Sequence, residues 1–304
     1  MRRTIVLLLF LCCPAAFGLN TRSAVSVSGA DTNPCTMDSP CRSIAVAIAS
    51  TAPSGEVIAL DSAGYGPFAV LQPIAVIGAP GIHAAISVTT GDGISIDLTG
   101  QASSKVLIRN LSLIGAGGFN GIHDVFVKQL TVMGCEIRGF SFAGIMAGDS
   151  GAQIAIDDCR LLDNQTYGIQ IAGNGQASQA TISRCDVRGN ATGIAIGDHT
   201  DAAIAASVVS DSPGTGILLS NTAAANSDTQ VIVESSTIAH NGTGVVANAS
   251  GGLNTAVVAL SDVVLAFNAT AASFIGNGSL GTFSNNRFSG NTAAGSPFVT
   301  VPLH

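Results

Sequence analysis

Apolar and polar residues alternate along this chain only over short stretches, and Gly, Asn or Thr interrupts each stretch before a helix could establish itself. The stretches recur as one unit. Cys159-Arg-Leu-Leu-Asp-Asn164 followed by Tyr167-Gly168-Ile169 returns as Cys185-Asp-Val-Arg-Gly-Asn190 followed by Thr192-Gly193-Ile194. Ser207 to Ser212 with Gly216-Ile217, Ser236 to Asn241 with Gly244-Val245, Val263 to Asn268, and Asn286 to Asn291 continue the series. Upstream, Cys135 to Phe140 with Gly144-Ile145 is a degenerate copy. The anchors at 135, 159, 185, 207, 236, 263 and 286 lie 24, 26, 22, 29, 27 and 23 residues apart, a mean of about 25.

A period of that length, with alternating apolar residues in every unit, predicts stacked coils of short strands. A leucine-rich repeat has a similar period, but its Leu framework is absent. The prediction is therefore an all-β fold, a parallel β-solenoid over residues 56–304. At ~25 residues per coil and ~4.8 Å per rung it has about ten coils in a rod of about 50 Å. Asn164, Asn190, Asn241, Asn268 and Asn291 each fall five residues after an anchor, where the chain must turn sharply. Asn tolerates the left-handed conformation, and stacked amides can bond along the rod. Ser212 and Phe140 should break that ladder. Cys135, Cys159 and Cys185, with Ser207 and Ser236, read as a column of small residues inside the rod.

Before the coils, residues 19–55 read as a capping segment. Ile44, Ala47 and Ile48 repeat at helical spacing, giving one amphipathic helix of about ten residues. Pro53-Ser54-Gly55 then turns into the strand Val57-Ile58-Ala59-Leu60. A lid is required because a solenoid exposes apolar interior and backbone groups at its end. Residues 1–18 read as an export signal: Arg2 and Arg3, an apolar run from Ile5 to Cys13, then Pro14-Ala-Ala-Phe-Gly18. The expected location is outside the cytoplasm, secreted or periplasmic, with no transmembrane segment in the mature chain. In such a compartment Cys35 and Cys41, across a turn-like loop, are expected to form a disulfide. No Cys or His spacing fits a Zn site, and no metal site is predicted.

The cap, with Asp61-Ser-Ala-Gly64-Tyr-Gly66-Pro67, Ile74-Ala-Val-Ile-Gly78 and the repeat behind it, resembles bacterial right-handed parallel β-helix proteins of the pectate-lyase-like superfamily. The resemblance spans about residues 29–300, and it supplies the right hand and three sheets that periodicity alone does not. Members include polysaccharide lyases, hydrolases, esterases, epimerases and adhesins, so function does not follow from the fold. In that superfamily lyases are similar to one another in acidic Ca²⁺ ligands beside Arg or Lys bases, and galacturonan hydrolases in an Asp trio with Gly-His-Gly and Arg-x-Lys. Here only Asp157-Asp158 matches a fragment of the Asp trio, Gly197-Asp198-His199 is not Gly-His-Gly, and Lys105 and Lys128 lie in no Arg-x-Lys. No catalytic residue carries over.

Composition narrows the partners. Only 10% of the 304 residues are charged, well below an ordinary domain, and 12 Lys plus Arg against 19 Asp plus Glu leave −7. Nucleic-acid binding is excluded on that balance. Loss of Arg2 and Arg3 takes −7 to −9, which disfavours polyanionic glycans unless Ca²⁺ bridges them. Two constellations carry charge. Glu136, Arg160 and Asp186 follow successive anchors as an outer ion ladder, with Asp158 facing Arg184. His123, Asp124, Asp149, Asp198 and His199 follow the Gly-Ile strands and should share one edge of the rod, where acids beside imidazoles can supply an acid and a base. The expectation is a non-catalytic surface for a polysaccharide or envelope component, without a cofactor. The alternative is a polysaccharide lyase or hydrolase at the His123–His199 edge, with Ca²⁺ in the lyase case. The oligomeric state is left open.

Overall fold

Every anchor of the repeat opens a three-residue strand in the computed structural model, which describes residues 18–101, 104–148, 151–173, 175–222, 228–250 and 254–301. A residue with positive φ stands at each end of that strand. Asp158 (52°) and Asp163 (53°) flank Arg160–Leu162, and Arg184 (52°) and Gly189 (67°) flank Asp186–Arg188. These two left-handed corners set off the short side of each coil. The left-handed residue therefore precedes the ladder Asn and is not that Asn, a correction to the reading from residue preference. Asn is required there for its amide.

Among the described residues, each of ten coils gives one strand to each of three parallel sheets, stacked through about nine right-handed turns. At ~4.8 Å per step the ten coils span roughly 43 Å. The first sheet has twelve strands, from Asn20–Val25 to Val299–Thr300; the second, of anchor strands, and the third, of Gly-Ile strands, have ten each. Positions 159 and 185 are next-rung neighbours, since Arg160 pairs with Asp186. Inside, apolar residues stack in files. Val132, Ile156, Ile182 and Ile204 form one file, each fully buried. Each such side chain contributes about 1.5–3 kcal/mol relative to exposure.

At the corner Asn side chains bond rung to rung from Asn164 to Asn190 and from Asn241 to Asn291, with Phe140 and Ser212 outside the file. Asn241 Nδ2 donates to Asn268 Oδ1 and Asn268 Nδ2 to Asn291 Oδ1, both at 3.0 Å. The backbone N–H of Phe140 donates to Asn164 Oδ1 (3.1 Å), and that of Ser212 to Asn241 Oδ1 (3.0 Å). The Gly of each Gly-Ile pair follows from the same corner. A Cβ on Gly168 would stand 2.7 Å from the Gly193 carbonyl and 2.9 Å from Asn190 Nδ2. The anchor file obeys a related rule: Cys159 and Cys185 donate from Sγ to the carbonyl two residues back at 3.2 Å, and Ser207 and Ser236 from Oγ at 2.8 and 2.7 Å. Cys135, Cys159 and Cys185 are free and buried.

The lid is shorter than expected. Helix α1 is Ile44–Ala49, six residues, and buries Ile44, Ala47 and Ile48. It stops because Thr51 already pairs with Asn20 in the first sheet, while the Thr51 hydroxyl donates to the Ala47 carbonyl (2.6 Å). Residues 53–55 are not a turn ahead of the strand. They lie within Thr51–Ala59 at an irregularity, with Ser54 at φ 66°. Before the helix, Cys35 and Cys41 form a disulfide, and Asp31 Oδ1 accepts the N–H groups of Arg42 (2.9 Å) and Ser43 (2.8 Å). Among the described residues, no helix is long and apolar enough to cross a membrane.

Candidate functional site

The charged residues that follow the anchors form the expected ladder: Arg160 reaches Glu136 at 2.8 Å and Asp186 at 3.9 Å. Arg184, however, pairs with Asp157 and not with Asp158, because Asp158 is the left-handed corner residue while Asp157 lies on the strand. The Ser183 hydroxyl also donates to Asp157 (2.6 Å). These exposed pairs are worth about 0.2–1 kcal/mol each and fix side chains more than they stabilise the rod.

The acid and imidazole candidates are distributed along the rod. His123 and Asp124 lie within the strand Asn120–Phe126, not beyond it. Asp198 and His199 follow Thr192–Ile196, three rungs further on, or about 14 Å. Asp149 lies outside the described residues. Asp198 Oδ1 accepts the Thr222 N–H (2.6 Å), and His199 is a corner residue at φ 57° whose carbonyl accepts from Ser178 (2.8 Å). Both are thus engaged in holding turns together. Asp124 is fully buried and accepts the Gly148 N–H at 3.3 Å. His123 has a partner that the sequence did not flag: its Nδ1 is 2.7 Å from Asp92 Oδ2, and Asp92 Oδ1 also accepts from Asn120 Nδ2 (2.9 Å). No group of three or more His, Cys, Asp or Glu among the described residues is arranged to hold a metal ion.

Two outward surfaces are better organised for a ligand. On the first sheet, Lys105, Gln129, Gln153, Gln179 and Asp201 occupy successive rungs of one outward file. Beside it run Leu107, Thr131, Ala155, Thr181 and Ala203, and beyond that Arg109, Met133, Asp157, Ser183 and Ala205. Small side chains thus form a floor between taller amides and the Asp157–Arg184 pair. Gln129, Gln153 and Gln179 line a shallow depression of about 370 Å³ with Thr131, Ala155 and Thr181. Gln129 Nε2 donates to Gln153 Oε1 (2.8 Å), which orients the wall. Uncharged donors and acceptors repeating on three successive rungs suit a hydroxyl-rich polymer running along the axis.

On the third sheet the rings of Phe119 and Phe142 stack at 4.9 Å and 6°, and Tyr167 meets Phe142 edge-on at 5.5 Å. Phe119 is 49% exposed. Neither surface was found from the sequence. Yet Gln129, Gln153 and Gln179 are each six residues before Cys135, Cys159 and Cys185, so the same period marks them.

With this geometry in view, residues 83–208 match the family described as the right handed beta helix region. The fold is that of a right-handed parallel β-helix. No curated protein matches it in sequence. Among solved structures, this β-helix is similar to pectate lyase Pel9A, with 14% identity and a TM-score of 0.55 over 94% of this chain and 80% of that one. It is also similar to XylC in complex with xylose, with 11% identity and a TM-score of 0.65 over 88% and 70% of the two chains. The enzymatically active domain of tailspike protein 2 from bacteriophage CBA120 shares 11% identity at a TM-score of 0.59, over 92% of this chain and 46% of that one. At these identities the likeness is one of fold.

Proposed function

We propose that this β-helix is an exported glycan-binding protein that holds a polysaccharide or envelope glycan along its first sheet, over Gln129, Gln153 and Gln179. The observation that carries the reading is the repetition of an amide wall beside a small-residue floor on three consecutive rungs. Amides and hydroxyls replace the hydrogen bonds a sugar makes with water without requiring charge. The net charge of −7 favours a neutral chain over a polyanion. Fold neighbours named as a pectate lyase and as a complex with xylose support a glycan as the ligand class. Export is supported by Arg2, Arg3 and the apolar run after them, and by the Cys35–Cys41 disulfide.

Calorimetric titration with neutral and acidic oligosaccharides tests the reading. Replacing Gln153 and Gln179 together by Ala removes two amides worth about 0.5–1.5 kcal/mol each, so affinity should fall roughly tenfold or more. Unchanged affinity would reject the first-sheet site. The alternative, cleavage of a polysaccharide near His123, is favoured by one observation, the Asp92–His123 hydrogen bond. Under it, unsaturated products or new reducing ends appear, with or without Ca²⁺, and Asp92→Asn abolishes them. Silence across the panel removes the catalytic reading and leaves binding.

A further inference from the structure

We propose a second, separate carbohydrate site on the third-sheet side: a slot over Gly91 in which a single pyranose ring stacks on Phe119 and bonds to Asp92 and His123. The slot exists because the aromatic file ends there. Phe142 covers one face of the Phe119 ring at 4.9 Å. The other face looks toward the preceding rung, where the Phe119 N–H donates to the Gly91 carbonyl (2.6 Å). Gly91 has φ 67° and no side chain, and a Cβ built on it would meet nothing within 4 Å. An exposed aromatic face thus stands beside open space one rung deep, about 4.8 Å.

The polar rim is built and oriented. Asp92 Oδ1 accepts the Asn120 N–H (3.2 Å) and Asn120 Nδ2 (2.9 Å), and Oδ2 accepts from His123 Nδ1 (2.7 Å). A carboxylate has about four lone-pair positions, so one remains at Oδ2 for a ligand hydroxyl. The second nitrogen of His123, whose side chain is 24% exposed, has no hydrogen-bond partner among the described residues. An apolar face bordered by one open acceptor and one open imidazole nitrogen matches a sugar ring, which has a C–H face and an equatorial rim of hydroxyls. A flat aromatic ligand would stack equally well but would leave the last acceptor position on Asp92 Oδ2 unfilled and cut off from water, at a cost in affinity.

This proposal rests on the glycan reading of the rod but names a different surface, so the two fail independently. The probes are xylo-, cello- and galacto-oligosaccharides, titrated calorimetrically and by saturation transfer from the Phe rings. They are applied to the intact protein and to the Gln153→Ala/Gln179→Ala variant. Phe119→Ala removes the stacking face. Gly91→Asn fills the slot while leaving every aromatic contact in place, since Asn accepts the left-handed backbone. Circular dichroism verifies that both variants are folded. The expected result is a site that survives the Gln substitutions and weakens about tenfold or more with either Phe119→Ala or Gly91→Asn. Binding unaffected by both changes, binding removed entirely by the Gln substitutions, or no saturation transfer from any probe would overturn the slot.

Discussion

Asn164 Nδ2 donates to Asn190 Oδ1 at 3.0 Å, and the same oxygen accepts the Asn164 backbone N–H at 2.9 Å. Both residues are fully buried. One side chain therefore satisfies two donors of the rung before it, which water cannot reach. Asn190→Ala leaves the Asn164 backbone N–H unpaired and Asn164 Nδ2 with only the Ile137 carbonyl at 3.5 Å, and should cost about 2–4 kcal/mol in urea unfolding, more than a surface Asn→Ala change elsewhere on the rod. The opposite change should stabilise. Ser212 breaks the file, and its buried Oγ has no partner among the described residues. Ser212→Asn restores the amide and should add about 1 kcal/mol. A loss of stability on Ser212→Asn would show that the coil around 212 is built around the smaller side chain.

Acid should loosen the lid before the coils. Donation from the Ser43 backbone holds the Asp31 carboxyl below its ordinary value of 3.8. A carboxyl whose pKa is depressed in the folded state contributes stability above its unfolded value and loses it as pH falls through the folded one. The contribution is thus complete above about pH 4 and disappears below it. Thermal melts between pH 6 and pH 3 should show a larger fall for the natural protein than for Asp31→Asn. Parallel pH profiles for the two would mean that Asp31 does not tie the loop to the helix.

Thiol chemistry separates the lid from the core. Hydrogen bonding to the neighbouring thiol and burial push the Cys159 and Cys185 thiols up, while the hydrogen bond to Cys159 draws Cys135 down, so burial is what keeps Cys135 from reagents. In a chain lacking residues 1–18, a thiol reagent should find no reactive group in the folded, unreduced protein. It should find three after unfolding, those of Cys135, Cys159 and Cys185. Reduction of Cys35–Cys41 should then expose two more and lower stability by about 2 kcal/mol, the chain-entropy value for so short a loop. A thiol that reacts in the native state would place the anchor file at the surface.

The coils were legible because the strongest physical demands fall on single residue types. A corner that must satisfy two buried donors selects Asn, and a corner crowded by that amide and a carbonyl selects Gly, so the Asn, Gly and apolar positions marked by Asn164, Gly168 and Ile169 recur in most periods. The left-handed corners were not legible, since Asp163, Gly189, Asp211, His240 and Phe267 all fill the same position. Their backbone is imposed by the coil and not by the residue. The helix was overestimated because its apolar spacing persists up to Ala49, while strand pairing at Thr51 ends it. His123 was legible, but Asp92 was not: it stands on a loop of an early coil, ahead of the first recognisable anchor at Cys135. His123 and His199 do not lie along one edge, because His123 is within the strand Asn120–Phe126 while His199 is a corner residue beyond Thr192–Ile196.

The most direct test of a glycan-holding first sheet is a crystal of the protein soaked with the tightest-binding oligosaccharide from the titrations. Density for consecutive sugars lying parallel to the rod axis above Thr131, Ala155 and Thr181, with hydroxyls bonded to the Gln129, Gln153 and Gln179 amides, is the predicted result. A chain lying across the strands, or bound only away from this face, would contradict it.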